Sequence, residues 1–352
     1  MYRLISLLFL WTLSGCSYYG TTHLPSNRVK YNEALQRSDL QQNLLNTVRL
    51  RYNDNPYFLN VNSVISQFSF TKELGGEIGN TEFSTRLLGK LAGSASVTET
   101  PTMTFTPYQG EDYVTKLLTP IRLEAIYMLL RAGWSLHHVL SLCVQKLGPY
   151  ENAILASRSV TGRIPIYKDF HTISWAFHRL EERRAIEYEG TKVDKQFAIK
   201  FHILSFAGLS AQDLRLFRQV GVTPQSPYFW FTTVRTSQKN EMFAESRTIS
   251  ELLYYLSKGV RVPPEDMNTH APMLVLPNKQ YFDWRAIVGG IFDVYSSKTA
   301  PANAYVAIRY KGHWFYLKDD DFNSKETMML LSMITGIYQG KVQSFLPVFT
   351  VS

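Results

Sequence analysis

Apolar residues along this chain recur with two periods, one of three to four residues and one of two, and the switches between them mark out the elements. Leu40, Leu44, Leu45 and Val48 repeat at helical spacing behind Ser38 and Gln41, a capping-box pair. A helix is therefore expected from Ser38 to about Tyr52, where Asn53-Asp54-Asn55-Pro56 stops it. Val64, Ser66, Phe68 and Phe70 then alternate, as do Val97, Met103 and Phe105 among threonines, and these read as paired strands. Between them Gly75–Gly93 is far longer than a hairpin loop of about two to five residues. Within it Phe83, Leu87 and Leu91, with Leu88 beside them, recur at helical spacing and form an apolar stripe. That stripe is read as a partner-docking surface, against the alternative of a flap folding back on its own domain.

Gly110–Leu147 carries three helical patterns broken at Pro120 and Gly133, with Leu136, Val139, Leu140, Cys143, Val144 and Leu147 as the last stripe. Phe170, Ile173, Phe177 and Leu180 predict another helix. Ala185–Glu189 and Phe197–Leu204 predict two strands across a turn at Gly190, giving a winged-helix-like unit. Two further capping boxes, Ser210 with Asp213 and Thr248 with Glu251, open helices on either side of an extended run, Tyr228–Val234. Tyr305–Tyr310 and His313–Leu317 meet at Lys311-Gly312, a tight hairpin signal. Asp319–Asp321 lead into a helix from about Ser324 to Tyr338, its inner side formed by Met328, Leu331 and Thr335, and Phe345–Val351 reads as a closing strand. The fold class expected is α+β, with clustered helices and antiparallel strands.

The first residues change the picture from fold to address. Arg3 precedes an apolar run from Leu4 to Leu13, too short to cross a bilayer as a helix, which takes about 20 residues. The segment reads as a signal peptide. Its end, Leu13-Ser14-Gly15-Cys16, resembles the lipobox of bacterial lipoproteins, and the resemblance implies that Cys16 receives the lipid. Ser17 follows it, and resemblance to enterobacterial lipoproteins then implies export to the outer membrane. The expected organisation is a signal peptide at 1–15, a flexible tether at 16–37, and an α+β region at 38–155 carrying the insert 75–93. A central α+β region at 156–280 and a C-terminal hairpin, helix and strand at 281–352 complete it.

Composition narrows the chemistry. The chain has 37 Lys and Arg against 29 Asp and Glu, a net charge of +8, with 45% hydrophobic and 19% charged residues. That excludes a disordered polymer, and the scattered basic residues give no footprint for nucleic acid. Cys143 would be the sole cysteine besides Cys16 and sits in an apolar stripe, so it reads as core. His171, His178 and Glu181 have helical spacing that could touch a metal, but Arg179, Arg183 and Arg184 oppose it, and they read as solvated helix residues. His137 and His138 point to different helix faces and read as surface and packing. Asp319–Asp321 read as a helix cap in preference to a calcium loop. Glu111, Asp112, Asp266, Asp283 and Asp293 are acid-base candidates without a visible partner. No nucleophile elbow, phosphate loop or zinc helix motif occurs, and no cofactor or metal is expected. The aromatic runs Tyr228–Phe231 and His313–Tyr316 read as alternating sheet residues, with sugar or peptide stacking as the alternative.

Taken together, Asn46–Tyr52 (NTVRLRY), Phe58–Gln67 (FLNVNSVISQ), Pro101–Gly110 (PTMTFTPYQG) and Trp314–Tyr316 with Ser324–Thr327 resemble a proteobacterial outer-membrane lipoprotein family without assigned activity. The chain also resembles lipoprotein subunits of the outer-membrane core of Dot/Icm type IVB secretion systems. The resemblance implies no catalytic residue. It implies a noncatalytic structural subunit, anchored by lipid in the outer membrane on the periplasmic side, with other envelope or secretion-system proteins as partners. The alternative is a periplasmic enzyme or binding module acting on cell-wall glycan or peptide.

Overall fold

Strand and helix periods are sorted along this chain into clusters, and the fold is α+β. The structure, a computed structural model, describes residues 19–75, 92–107, 109–158 and 163–339. The described parts of Met1–Gln36 and Leu59–Tyr108 form one unit, and those of Arg37–Phe58 and Gln109–Ser352 another. These units do not follow the expected boundaries at 155 and 280, because strands on both sides of 155 share one sheet.

Helix α1 (Tyr19–Arg51) runs through residues 19–37, the expected tether, and through Ser38, its expected cap. Leu44 and Val48, both fully buried, dock its C-terminal half. A docked helix extends at the gain of one hydrogen bond per residue, so the exposed polar stretch before it need not unwind. Strands β1 (Leu59–Gly75) and β2 (Ala92–Pro107) pair antiparallel, with Val64 opposite Met103 and Phe70 opposite Val97, as alternation requires.

In the larger unit the three helical patterns are α2 (Glu111–Leu118), α3 (Leu123–Arg131) and α4 (Leu136–Cys143). The last stripe changes period at its end: Val144–Leu147 is strand β3, which pairs with β4 (Tyr150–Glu151). It also pairs with β8 (Glu241–Ser246), and that distant partner is what turns a continuous apolar stripe into two elements. Helix α5 (Lys168–Glu182) buries Phe170, Ile173, Phe177 and Leu180. Strands β5 (Ile186–Val193) and β6 (Gln196–Ile203) follow, so the helix and two-strand unit is present. Its turn lies at Asp194 and Lys195, with φ of 49° and 67°, and not at Gly190. Gly190 stands inside β5 for a steric reason: a Cβ there would lie 3.0 Å from the Tyr127 ring and 3.1 Å from that of Phe197.

Both capping boxes form, Ser210 with Asp213 on α6 (Ala211–Gln219) and Thr248 with Glu251 on α7 (Ile249–Ser257). Between them β7 (Tyr228–Thr232) completes a six-stranded sheet of order β4-β3-β8-β7-β6-β5, in which only β7 and β8 run parallel. Alternation in β7 buries Phe229 and Phe231 against Phe177 and Phe201, the ring centroids of Phe201 and Phe229 lying 4.9 Å apart. Stacking that pair on a sugar is thereby excluded.

A short helix α8 (Arg285–Val288) leads to a three-stranded sheet of β9 (Tyr295–Ser297), β10 (Ala304–Tyr310) and β11 (His313–Lys318). Its hairpin turns at Lys311 and Gly312, with φ of 43° and 85°, as expected. Helix α9 (Phe322–Gln339) buries Met328, Leu331 and Thr335. Asp321 caps it by accepting from the Ser324 amide at 3.1 Å and the Ser324 hydroxyl at 2.6 Å, while Asp319 holds Lys325 at 2.8 Å. The expected strand Phe345–Val351 lies outside the described residues.

One buried cation joins these layers. Arg247 is fully buried, and among the described residues no carboxylate bonds its guanidinium. Nη1 donates to the carbonyls of Ser141, Leu142 and Val144 at 2.8, 3.1 and 2.9 Å, and Nη2 donates to that of Asn152 at 2.7 Å. Nε donates to Ser157 Oγ at 2.8 Å, and the plane lies 4.0 Å over the Tyr255 ring. The carbonyls of Ser141 and Leu142 are the open acceptors at the negative end of α4, so the cation satisfies them and the helix dipole together.

Replacing Arg247 by Leu removes the side-chain donor from the carbonyls of Leu142 and Asn152 and one of two side-chain donors from those of Ser141 and Val144, and should cost at least about 3 kcal/mol, read as a lower midpoint of urea unfolding. Asp321→Ala should cost about 1 kcal/mol in the same assay. Asp320→Asn, by contrast, should leave the midpoint unchanged, because Asp320 makes none of the capping bonds.

Candidate functional site

The lipidation residue Cys16 and the docking residues Phe83, Leu87, Leu88 and Leu91 lie outside the described residues. What the structure does describe is the element that carries the insert. Strands β1 and β2 have 17 and 16 residues and form a sheet of two strands only among the described residues. At about 3.3 Å per residue such a ribbon extends roughly 50 Å. Near its base Leu59, Met103 and Phe105 are 39%, 40% and 51% exposed. A two-stranded ribbon is marginal in water by itself, because it has one neighbour per strand and no second layer.

The larger unit gathers three histidines, His137, His171 and His178, around Trp175, with His138 beside His137. His137 on α4 is buried, stacks on Trp175 of α5 with centroids 4.1 Å apart, and places Nδ1 at 2.9 Å from Ser174 Oγ. Trp175 Nε1 donates to His171 Nε2 at 3.0 Å, which needs that nitrogen unprotonated. His178 lies 5.2 Å from the Trp175 ring and 3.5 Å from Glu182. Glu181, which shares helical spacing with His178, accepts instead from the Leu136 amide at the open start of α4. His138, expected as surface and packing, is buried, with Nε2 3.8 Å from Glu326 and without a hydrogen bond. Helical spacing gave no sign of this cluster, since it depends on how α4 crosses α5.

Burial pushes His137 down to about 3, and repulsion from His138, His171 and His178 acts in the same direction. Burial also lowers His138, with Glu326 opposing, and lowers His171. The rings of His137, His138 and His171 are therefore biased toward the neutral form. Among the described residues no group of three or more His, Cys, Asp or Glu is arranged to hold a metal ion.

A second polar cluster ties the end of α1 to the C-terminal sheet. Tyr52 donates to Asp266 at 2.6 Å, and its ring meets those of Tyr310 and Phe315 edge-on at 5.6 and 6.0 Å. His313 places Nε2 3.0 Å from Glu265, which also holds Lys298 at 3.2 Å. The Glu265 carboxyl is drawn down to about 2 by its own amide, Lys298 and His313. Burial, the Asp266 hydrogen bond and the Asp266 charge raise the Tyr52 hydroxyl far above its usual range. A phenol so held donates and does not act as a base. Sequence reasoning named Asp266 without a partner, and separations of more than 200 residues hid Tyr52 from it.

The other acid candidates Asp283 and Asp293 are bound to Arg285 and Arg261. Cys143 is fully buried, and burial pushes its thiol up to about 12, so it is core as expected. Among the described residues no helix is long and apolar enough to cross a membrane. Comparison with protein-family models, curated proteins and solved structures finds no match to this chain.

The histidines give the unit a pH response of definite sign. The folded pKa values of His137, His138 and His171 lie below the unfolded value of about 6.5, so the unfolded chain binds more protons and stability falls as pH drops below about 6.5. Each fully lowered ring adds a slope approaching about 1.4 kcal/mol per pH unit. Urea midpoints measured from pH 7 to pH 4 should fall, and His137→Gln should flatten that fall.

Proposed function

We propose that this protein is a noncatalytic structural subunit of a multiprotein assembly in a bacterial envelope, held by lipid on Cys16 in the outer membrane on its periplasmic side. The observation that carries the reading is the β1–β2 ribbon, a long two-stranded arm with exposed Leu59, Met103 and Phe105. An arm of that kind gains stability when another protein supplies a third strand or an apolar cover. The partner in this reading is another envelope or secretion-system protein, and the stripe of Phe83, Leu87, Leu88 and Leu91 carried between the two strands docks against it. The lipobox-like end of the signal segment supports the anchor. Acyl chains, each methylene worth about 0.8 kcal/mol when buried, hold such a protein at a membrane without a spanning helix.

The alternative, a periplasmic enzyme or binding module for cell-wall glycan or peptide, has the cluster of Tyr52, Asp266, Glu265 and His313 in its favour. Its donors and acceptors are largely spent on one another, which suits a structural pin better than a reacting site.

Cys16→Ala should remove the acyl mass from the N-terminal peptide and shift the protein out of the membrane fraction. An unchanged fraction would sink the anchor. Replacing Gly75–Gly93 by a short Gly-Ser turn should leave the unfolding midpoint of the larger unit unchanged while the proteins that co-purify with the wild type are lost. Retention of every partner would remove the docking role from the arm.

A further inference from the structure

A cavity of about 330 Å³ lies in the larger unit between the end of α1, the segment after α7 and the start of α8. Its charge is unbalanced. Four cations line it, Arg51, Lys258, Arg261 and Arg285. Arg261 is bound to Asp293 and Arg285 to Asp283, which leaves Arg51 and Lys258 without a carboxylate partner among the described residues. Both are buried, 3% and 4% exposed.

Their polar atoms are also short of acceptors. Arg51 donates from Nη1 to the Pro272 carbonyl at 2.7 Å and from Nη2 to Met273 Sδ at 2.9 Å, while its Nε has no partner. Among the described residues no carboxylate or carbonyl accepts from Lys258 Nζ, which lies 5.1 Å from the Trp284 ring centre. Trp284 lines the same cavity, and its buried Nε1 has no acceptor either. Every unsatisfied group named here is a donor. Burying two like charges beside apolar side chains costs several kcal/mol per ion unless an opposite charge meets them.

The backbone holds Lys258 at this place. Gly259 follows it directly, and a Cβ at that position would lie 2.4 Å from the Phe292 carbonyl oxygen, so the chain leaves α7 in close contact with the segment before β9. The Gly259 carbonyl accepts from Val294 at 3.0 Å, and Arg261 donates back to Val294 at 2.9 Å. The ammonium is thus fixed at the base of the cavity, with Phe282, Met267 and Val262 among its apolar walls and the half-exposed Arg285–Asp283 pair at its rim.

We propose that this cavity is a binding site for a small organic oxyanion, a carboxylate or a phosphate ester, whose charged end meets Arg51, Lys258 and Trp284 and whose apolar part lies against Phe282 and Met267. The volume is at the small end of ligand sites, which run from about 300 to 1,000 Å³. Burial, with the Arg51 charge next, lowers the Lys258 ammonium to about 7, and an anion bound beside it favours the charged form. The inference is independent of the assembly reading and can fail without it.

The test is calorimetric titration of the full-length protein in detergent with inorganic phosphate, phenyl phosphate and butyrate, at pH 6.5 and constant ionic strength. Saturable binding at one site is expected for at least one probe. Preference for phosphate or phenyl phosphate assigns a phosphate ester, and preference for butyrate assigns a carboxylate. Lys258→Met should weaken binding at least tenfold while raising the melting temperature of the anion-free protein, since it removes an unpaired buried charge. Trp284→Phe, which keeps the ring and drops the donor, should weaken binding three- to tenfold and provides a second variant if the first does not fold. Absence of saturable binding to all three probes, or wild-type affinity in the folded variants, would overturn the proposal.

Discussion

A buried guanidinium organises the larger unit. Arg247 cannot be deprotonated under ordinary conditions even though burial lowers it to about 10, so its charge must be met where it lies. It is met by carbonyl oxygens at the end of α4, in β3 and at Asn152, and those acceptors come from a stretch that turns sharply through Ala153, whose φ is 46°. The side chain of Asn152 adds bonds to two of the same carbonyls, at 2.9 Å to Ser141 and 2.7 Å to Val144. The end of a helix, the start of a sheet edge and a left-handed turn are thereby made to depend on one residue nearly 100 positions away. The Arg247 main chain joins in, donating to Cys143 and accepting from Ile121.

The contrast with Lys258 and Arg51 is physical. Asp213 is buried and has Arg179 at 2.6 Å and the Ser210 amide at 2.7 Å, so its charge is met locally. Among the described residues Arg247 has no carboxylate bonded to it but has an oxygen acceptor on every nitrogen, carbonyls on Nη1 and Nη2 and the Ser157 hydroxyl on Nε. Lys258 has neither, only an aromatic face, and it borders a cavity. Among the described residues, buried charge is thus compensated at Asp213 and Arg247, which brace the fold, and left open beside this cavity, which is why it reads as a ligand site.

The two units differ in how they are held. The larger one has an aromatic core at Phe177, Phe201, Phe229 and Phe231 and polar pins such as Tyr52 with Asp266. Among the described residues the ribbon has backbone pairing along nearly its whole length and no third strand. Backbone hydrogen bonds exchange with water at little net gain, whereas buried apolar area does not, so the ribbon is the element most dependent on something outside itself. The assembly reading rests on that asymmetry.

Local signals in the chain determined the parts that depend on neighbours a few residues away. Alternation and helical spacing, the Ser210 and Thr248 caps, the Lys311-Gly312 turn and the Asp321 cap are all of this kind, and together they specify an α+β protein. Elements whose conformation answers to distant residues were decided by tertiary structure. Val144–Leu147 is strand because Glu241–Ser246 lies beside it, Gly190 is needed by the Tyr127 and Phe197 rings, and the polar stretch before Ser38 is helix because the turns after it are docked. The candidate site is the extreme case. Arg51, Lys258 and Trp284 carry no shared motif, and their significance lies in which charges lack partners, a property of the packed chain that no local period encodes.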